Sequence, residues 1–297
     1  MATRAKGPLA GFGWLKNAIN LGRGNPKAVF GGAALVALLS LVPSLVTLPI
    51  QLAVGPGLGM MAVVMGLSML CGLLLVPLIA GYMRIVDAAE RGLAAKATDV
   101  FAPYRSGEAP RLMGFGLVML LVYVLVLALI AAIAGGELIS WYGQVLAAQG
   151  NPTAISSLAL PEGFGRVMVA GIVLGLLMMG VYSISLGQVA LGGRGVLDSM
   201  RDGFLGSFKN VLPLVVLALS GIVASLVFML VAGVLVFLVV LVGNLGGMWL
   251  VYALLVPIYI ALVVAMFVVM FGVMYHLWRD VCGEAADSGP AAPVLAA

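Results

Sequence analysis

The chain has 297 residues, of which 63% are hydrophobic and only 9% are charged, and its mean hydropathy is +1.21. A soluble domain is roughly 45–50% apolar and about 25% charged, so the composition excludes a water-soluble fold and predicts a polytopic membrane protein. The net charge is +4, but the basic residues lie at the ends of apolar runs, which suits lipid headgroups and argues against a nucleic-acid partner.

The first segment predicts a short amphipathic helix rather than a cleavable signal peptide, because the first apolar run starts only near Ala28. Phe12, Leu15 and Ile19 lie on one helical face, with Trp14 beside them. Such a helix is expected to lie in the membrane interface instead of crossing it.

The first two predicted spans, 26–48 and 58–81, are each long enough to cross the hydrocarbon core, which takes roughly 20 apolar residues. Asn25 before Pro26 suits an N-cap followed by a first-turn proline. The connection to the third span, 111–134, carries a shorter amphipathic pattern that is interrupted by Pro103.

The loop 135–165 contains an apolar stripe with Trp141 and Tyr142, which predicts an interfacial helix on the outer side. The fourth span, 166–190, contains Gly171 and Gly175 in a GxxxG pattern. Small residues at this spacing let helices approach closely, and we expect packing within the chain more than dimerisation.

A third amphipathic segment precedes the last two spans, 212–242 and 248–275. Its apolar residues include Phe204 and Phe208, whereas Asp202 is expected on a solvated face. The fifth span is long, and we predict one helix because no strong turn signal interrupts it. Residues 1–282 therefore form a single integral membrane domain, and 283–297, rich in Ala, Pro and Gly, is expected to be disordered.

Basic residues predict the topology. They occupy the N-terminal segment, the connections 82–111 and 191–210 and the C-terminal end, and Arg166 alone borders the opposite loops. The positive-inside rule then places both termini in the cytoplasm, which also agrees with six spans.

The unit of an amphipathic segment followed by two spans occurs three times, with junction prolines at Pro26, Pro110 and Pro213. We therefore predict an all-α polytopic membrane helical bundle, with six transmembrane helices, short cytoplasmic interfacial helices and a possible threefold repeat of helical hairpins.

Few residues could build an active site. His276 is the only histidine, and it is expected to anchor a helix end; Cys71 and Cys282 have no metal-ligand spacing. The spans contain no carboxylate that could relay protons. We predict no catalytic, cofactor-binding or metal site, and a protein that is not an enzyme.

Two sets of residues remain as candidates. Neutral polar groups that a small solute could use are Ser183, Ser185 and Gln188, although such serines more often satisfy their own helix backbone. Expected contacts with membrane lipids or with other membrane proteins are Trp14, Lys16, Arg23, Lys27, Phe204, Phe208 and Lys209.

Three stretches of the chain resemble uncharacterised six-span inner-membrane proteins of proteobacteria, in the neighbourhood of the YciC-type family. They are the stretch from Gly13-Trp14-Leu15-Lys16 to Asn25-Pro26-Lys27, the Gly81-Tyr82-Met83-Arg84 exit of the second span, and the stretch from Phe204 to Pro213. The resemblance implies a location in the bacterial cytoplasmic membrane and no established activity.

These observations favour a non-enzymatic membrane component that binds lipids or partner proteins. The alternative is a transporter or channel for a neutral or lipidic solute, which the repeat and the prolines at Pro77 and Pro257 would suit.

Overall fold

The computed structural model describes residues 3–54, 57–134, 136–148 and 151–283, which are mainly helical and include no strand. Six helical segments are long and apolar enough to cross a membrane. They are Pro26–Val54, Gly59–Glu90, Ala109–Ile133, Phe164–Ala190, Val211–Gly243 and Met248–Cys282. The prediction of an all-α polytopic membrane bundle is therefore confirmed.

The helices follow one another as α1 (Ala10–Ile19), α2 (Pro26–Leu39), α3 (Val42–Val54), α4 (Leu58–Glu90), a 3₁₀ helix (Ala97–Phe101), α5 (Ala102–Arg105), α6 (Ala109–Ala134), α7 (Gly136–Ala147), α8 (Pro152–Ser156), α9 (Phe164–Ala190), α10 (Val196–Lys209), α11 (Val211–Gly246) and α12 (Met248–Cys282). The Asn25 side chain accepts from the Ala28 amide at 3.2 Å and caps α2, as its sequence predicts.

Several boundaries differ from the predicted spans: the second and sixth spans, for example, extend to Glu90 and Cys282 instead of 81 and 275. The first span is two helices, broken at Ser40 and Leu41, and it continues past Pro49 to Val54. Proline is tolerated here because membrane helices can satisfy the freed backbone groups locally. The fifth span is one continuous helix, as predicted, and only Gly247, with φ +86°, separates it from α12. The predicted disordered tail lies outside the described residues apart from Gly283.

The second span of each hairpin lies at the centre of the bundle, where α4, α9 and α12 contact one another. Each first span fills a groove between two of them: α2 contacts α4 and α12, α6 contacts α4 and α9, and α11 contacts α9 and α12. The largest buried side chains, including Tyr82, Phe115 and Tyr275, lie toward the end of the bundle where the described chain begins and ends. We call this end the basic end and the opposite one the far end.

Each short amphipathic segment packs on the hairpin that precedes it. The 3₁₀ helix contacts α2 and α4, α10 contacts α9, and α1 closes the ring by packing on α11 and α12. The segments expected to lie in the membrane interface are therefore also structural parts of the bundle.

A glycine in each central helix permits this close packing. The three pairs are Gly81 with Val100, Gly180 with Ser207, and Gly272 with Ala18. A Cβ on Gly81 would lie 2.2 Å from the Val100 carbonyl oxygen, so any larger residue would force the 3₁₀ helix away.

The GxxxG pattern does not pack as expected. A Cβ on Gly171 or on Gly175 would meet nothing within 4 Å. The prediction of packing within the chain is wrong at these two positions, because α9 is covered at its basic-end half and open in its far-end half.

Candidate functional site at the basic end

Polar side chains at the basic end join elements that are far apart in sequence. Asn210, only 1% exposed, accepts from the Lys6 amide at 2.8 Å and donates to the carbonyl oxygens of Arg4 and Gly206 at 3.0 and 2.8 Å. The Arg4 amide donates to Val281 at 3.0 Å. The N-terminal segment is thus fastened across the ends of α10 and α12.

Trp14 lies inside the protein, with 2% of its surface exposed. Its indole Nε1 donates to Asp280 Oδ2 at 3.0 Å, and Asp280 also pairs with the Lys6 ammonium. Trp14 was expected at the membrane surface; this is corrected, because the indole finds its hydrogen-bond partner on α12 instead of at the headgroups.

The Asp202 carboxylate is 5% exposed and is the centre of a second cluster. It accepts from Gln188 Nε2 at 2.7 Å and pairs with Arg194 Nε at 3.0 Å. Gln188 Oε1 accepts in turn from Trp278 Nε1 at 3.4 Å. The expectation of a solvated Asp202 was wrong, since α10 packs on α9 through its small polar face: Ser199, Gly203, Gly206 and Ser207 are buried there.

Two arginines cap the last carbonyls of α9. Arg84 Nε donates to Ala190 and Arg111 to Val189, at 3.2 and 3.1 Å. Glu108 lies between them, with oxygen-to-nitrogen distances of 2.7 Å to Arg84 and 3.1 Å to Arg111. Cations near helix C-terminal carbonyls are favourable. The hydrogen bond from Arg84 lowers the pKa of Glu108 below its ordinary 4.5, against an opposing effect of burial.

The candidate solute-path residues are closed in by neighbouring groups. Ser183 donates to the Met179 carbonyl oxygen at 2.7 Å on its own helix. Ser185 is fully buried against Gly203, where an added Cβ would lie 2.0 Å from its Oγ. With Gln188 bonded to Asp202 and Trp278, all three side chains contribute to packing between helices. A solute path through them stays a prediction.

The other expected contact residues divide into three groups. Lys16, Arg23 and Lys27 are exposed and form no ion pair with any described residue. Phe208 is 62% exposed and Phe204 is half-buried. Lys209 is exposed too, but its ammonium donates to the carbonyl and hydroxyl oxygens of Thr3 at 3.1 and 3.0 Å.

A groove of about 430 Å³ lies between α1 and α11, and Lys16 is part of its lining. Its apolar lining comes from Phe12, Leu15 and Ile19 on α1 and from Val223 and Ala224 on α11; Lys16, Asn20 and Ser220 supply its polar groups. Apolar walls with a few polar groups are typical of a ligand site.

Nothing in the described ranges groups His, Cys, Asp or Glu side chains as a metal site would. His276 is buried, and its Nε2 has no hydrogen-bond partner among those residues.

No protein-family model, curated protein or solved structure matches this chain. The resemblance to proteobacterial inner-membrane proteins therefore stays a prediction.

Sequence reasoning missed the buried positions of Asp202 and Asn210 and the structural role of the partly exposed Asp280. One signal was present for Asp202: Ser199, Gly203 and Gly206 share its helical face, and small residues at such spacing favour close helix packing. No comparable signal in the sequence identifies Asp280 as the partner of Trp14, because the two are brought together only by the ring closure of α1 onto α12.

Proposed function

We propose that this integral membrane protein is a non-enzymatic component that binds anionic phospholipid at its basic end, in the groove between α1 and α11. The observation that carries the proposal is the combination of an apolar groove with Lys16 in its lining. A phospholipid offers the matching chemistry, because it joins an anionic phosphate to an apolar chain.

The charges around the groove support this assignment. At the same end, Lys6, Arg84, Arg111 and Arg194 are already paired with carboxylates. Among the described residues, Lys16 has no carboxylate partner, and neither have Arg23 and Lys27, which follow it in the sequence. A basic residue near an anionic membrane surface contributes about 1 kcal/mol of attraction, so three free cations favour anionic over neutral lipid.

The exposed side chains of α1 point to the same partner. Phe12 and Ile19 are exposed and line the groove together with the buried Leu15, whereas Trp14 faces the bundle. An amphipathic helix with one face on protein and one on lipid can hold an acyl chain between itself and a neighbouring span.

We further propose that the protein resides in a bacterial cytoplasmic membrane with the basic end in the cytoplasm. The support is the distribution of basic residues: the far end carries only Arg166, and the positive-inside rule assigns the richer side to the cytoplasm. Membrane lipids are then the proposed partners, and other membrane proteins could bind the same exposed face.

The test is lipid retention. The protein is purified in mild detergent and titrated with dioleoyl phosphatidylglycerol, and bound lipid is counted by native mass spectrometry. Lys16→Gln removes the cation, and Ala224→Phe fills the groove. Each should weaken binding at this site roughly tenfold, or about 1.4 kcal/mol, because Lys16→Gln loses a charge-assisted contact and Ala224→Phe occupies the space of the acyl chain.

The matched control is Lys96→Gln, since Lys96 is also exposed, has no ion pair in the described part of the chain and does not line the groove. This control should retain lipid as the wild type does. Unchanged lipid binding in both groove variants would refute the proposal.

A further inference from the structure

A second groove opens at the far end, between α6 and α9, and has a volume of about 610 Å³. Ligand sites commonly enclose roughly 300–1,000 Å³. Its lining includes Leu129 and Ile133 from α6 and Val169, Ala170 and Val173 from α9. One charged side chain, that of Arg166, joins this apolar surface.

The groove exists because α6 and α9 pack at only one end. Near the basic end, the rings of Phe115 and Tyr182 lie 5.9 Å apart. Farther along α9, Val169 is 61% and Val173 51% exposed. No described side chain of the protein fills the space, and at this depth in a membrane the remaining candidates are lipid chains and other apolar helices.

Arg166 distinguishes between these candidates. Its side chain is exposed and forms no ion pair or hydrogen bond with the described residues, although the exposed Glu162 lies four residues before it, ahead of α9. A guanidinium is a planar donor that matches phosphate oxygens bidentately. An apolar helix would leave this cation without a partner, whereas a phospholipid supplies both the anion and the chain.

We propose that this groove binds an anionic phospholipid from the leaflet at the far end, with the lipid phosphate on Arg166 and an acyl chain along Val169 and Val173. The site is independent of the one proposed at the basic end, because it uses different helices and a different cation. The protein would then hold lipid in both leaflets.

The experiment counts bound lipids on the full chain. The protein in mild detergent is titrated with dioleoyl phosphatidylglycerol and, separately, with dioleoylglycerol, which has the same chains and no phosphate. Native mass spectrometry is expected to show one fewer retained phosphatidylglycerol in Arg166→Gln, and one fewer in Ala170→Phe, which fills the groove. Affinity at this site should fall roughly tenfold for the lost phosphate contact.

Two controls separate this site from the others. Ile172→Phe changes an exposed residue of α9 that does not line the groove, and it should keep the wild-type count. The double variant of Arg166→Gln and Lys16→Gln should retain two fewer lipids than the wild type. Because each single variant removes one lipid, the proposal for one site can be refuted while the other stands.

Three results would overturn the proposal. They are an unchanged phosphatidylglycerol count in both Arg166→Gln and Ala170→Phe, equal retention of dioleoylglycerol at the site, and a dimer of this chain that excludes lipid from the groove.

Discussion

The indole Nε1 of Trp14 donates a hydrogen bond to Oδ2 of Asp280 at 3.0 Å and so joins the first short helix to the last span. Asp280 also pairs with Lys6, so the carboxylate holds both α1 and the segment before it. This contact closes the ring in which each amphipathic segment packs on the preceding hairpin.

We predict that Trp14→Phe lowers stability by about 1–3 kcal/mol, because an aromatic ring is kept while one hydrogen bond to a carboxylate and part of the buried ring volume are lost. Thermal unfolding in detergent measures the effect. Trp249→Phe is the matched control, since Trp249 is 70% exposed. Equal melting temperatures for the two variants would contradict a stabilising role for this hydrogen bond.

Gly81→Ala should destabilise the bundle by about 1–3 kcal/mol or more, because the added Cβ would lie 2.2 Å from a backbone oxygen of the 3₁₀ helix. Gly72→Ala on the same helix is the control, as its Cβ would meet nothing within 4 Å. The two are compared by melting temperature and by the monodisperse fraction in gel filtration. A Gly81→Ala protein with the melting temperature and monodisperse fraction of the wild type would show that the 3₁₀ helix does not pack against Gly81.

Asp202→Asn should lower stability by about 2 kcal/mol. Breaking a fully buried pair costs roughly 3–5 kcal/mol, but Arg194 is partly exposed and keeps some water. Asp198→Asn, an exposed position of the same helix with no ion pair among the described residues, should change little. Thermal unfolding of both variants measures the difference, and a stable Asp202→Asn protein would refute a structural role for the pair.

Glu108 should make the stability of the protein depend on pH in the acidic range. Its folded pKa is lowered by Arg84, so its contribution is full above the ordinary value of 4.5 and is lost as the pH falls through the lowered value. Glu108→Gln should make the melting temperature less dependent on pH over that range. The control is Glu162→Gln, because Glu162 is exposed and has no ion pair in the described residues; it should keep the wild-type dependence of melting temperature on pH. The same wild-type dependence in Glu108→Gln would contradict the contribution assigned to Glu108.

The proposed orientation is tested with phosphatase fusions. A reporter after Asn151 should be active, because that loop is predicted to lie outside the cytoplasm, and one after Ser106 should be inactive. Both fusions are compared at matched expression levels. The reverse pattern would place the basic end on the outer side.

The number, type and approximate bounds of the spans could be predicted because they depend on local properties. A continuous apolar stretch must form a helix in lipid, where every backbone group needs an internal partner. The continuous fifth span follows from the same rule. The break at Ser40 and the passage of the helix through Pro49 could not be predicted, since each depends on small differences in local backbone pairing.

Some residues of the candidate site were named from the sequence, and their binding of a ligand stays a prediction. Lys16 was named as a basic residue of an amphipathic segment expected at the membrane surface, and it lines a groove. Trp14 was assigned to the surface from the same pattern and is buried, because amphipathicity shows which face is apolar and not whether lipid or protein covers it.

The sequence by itself determined that this chain crosses a membrane as six helices and that its basic residues gather at one end, since both depend on transfer of side chains between water and lipid. Only the tertiary structure decided which carboxylates are buried, which helix each amphipathic segment covers and where grooves remain. Those features join residues as distant as Trp14 and Asp280, and such pairing depends on how complete helices pack in space.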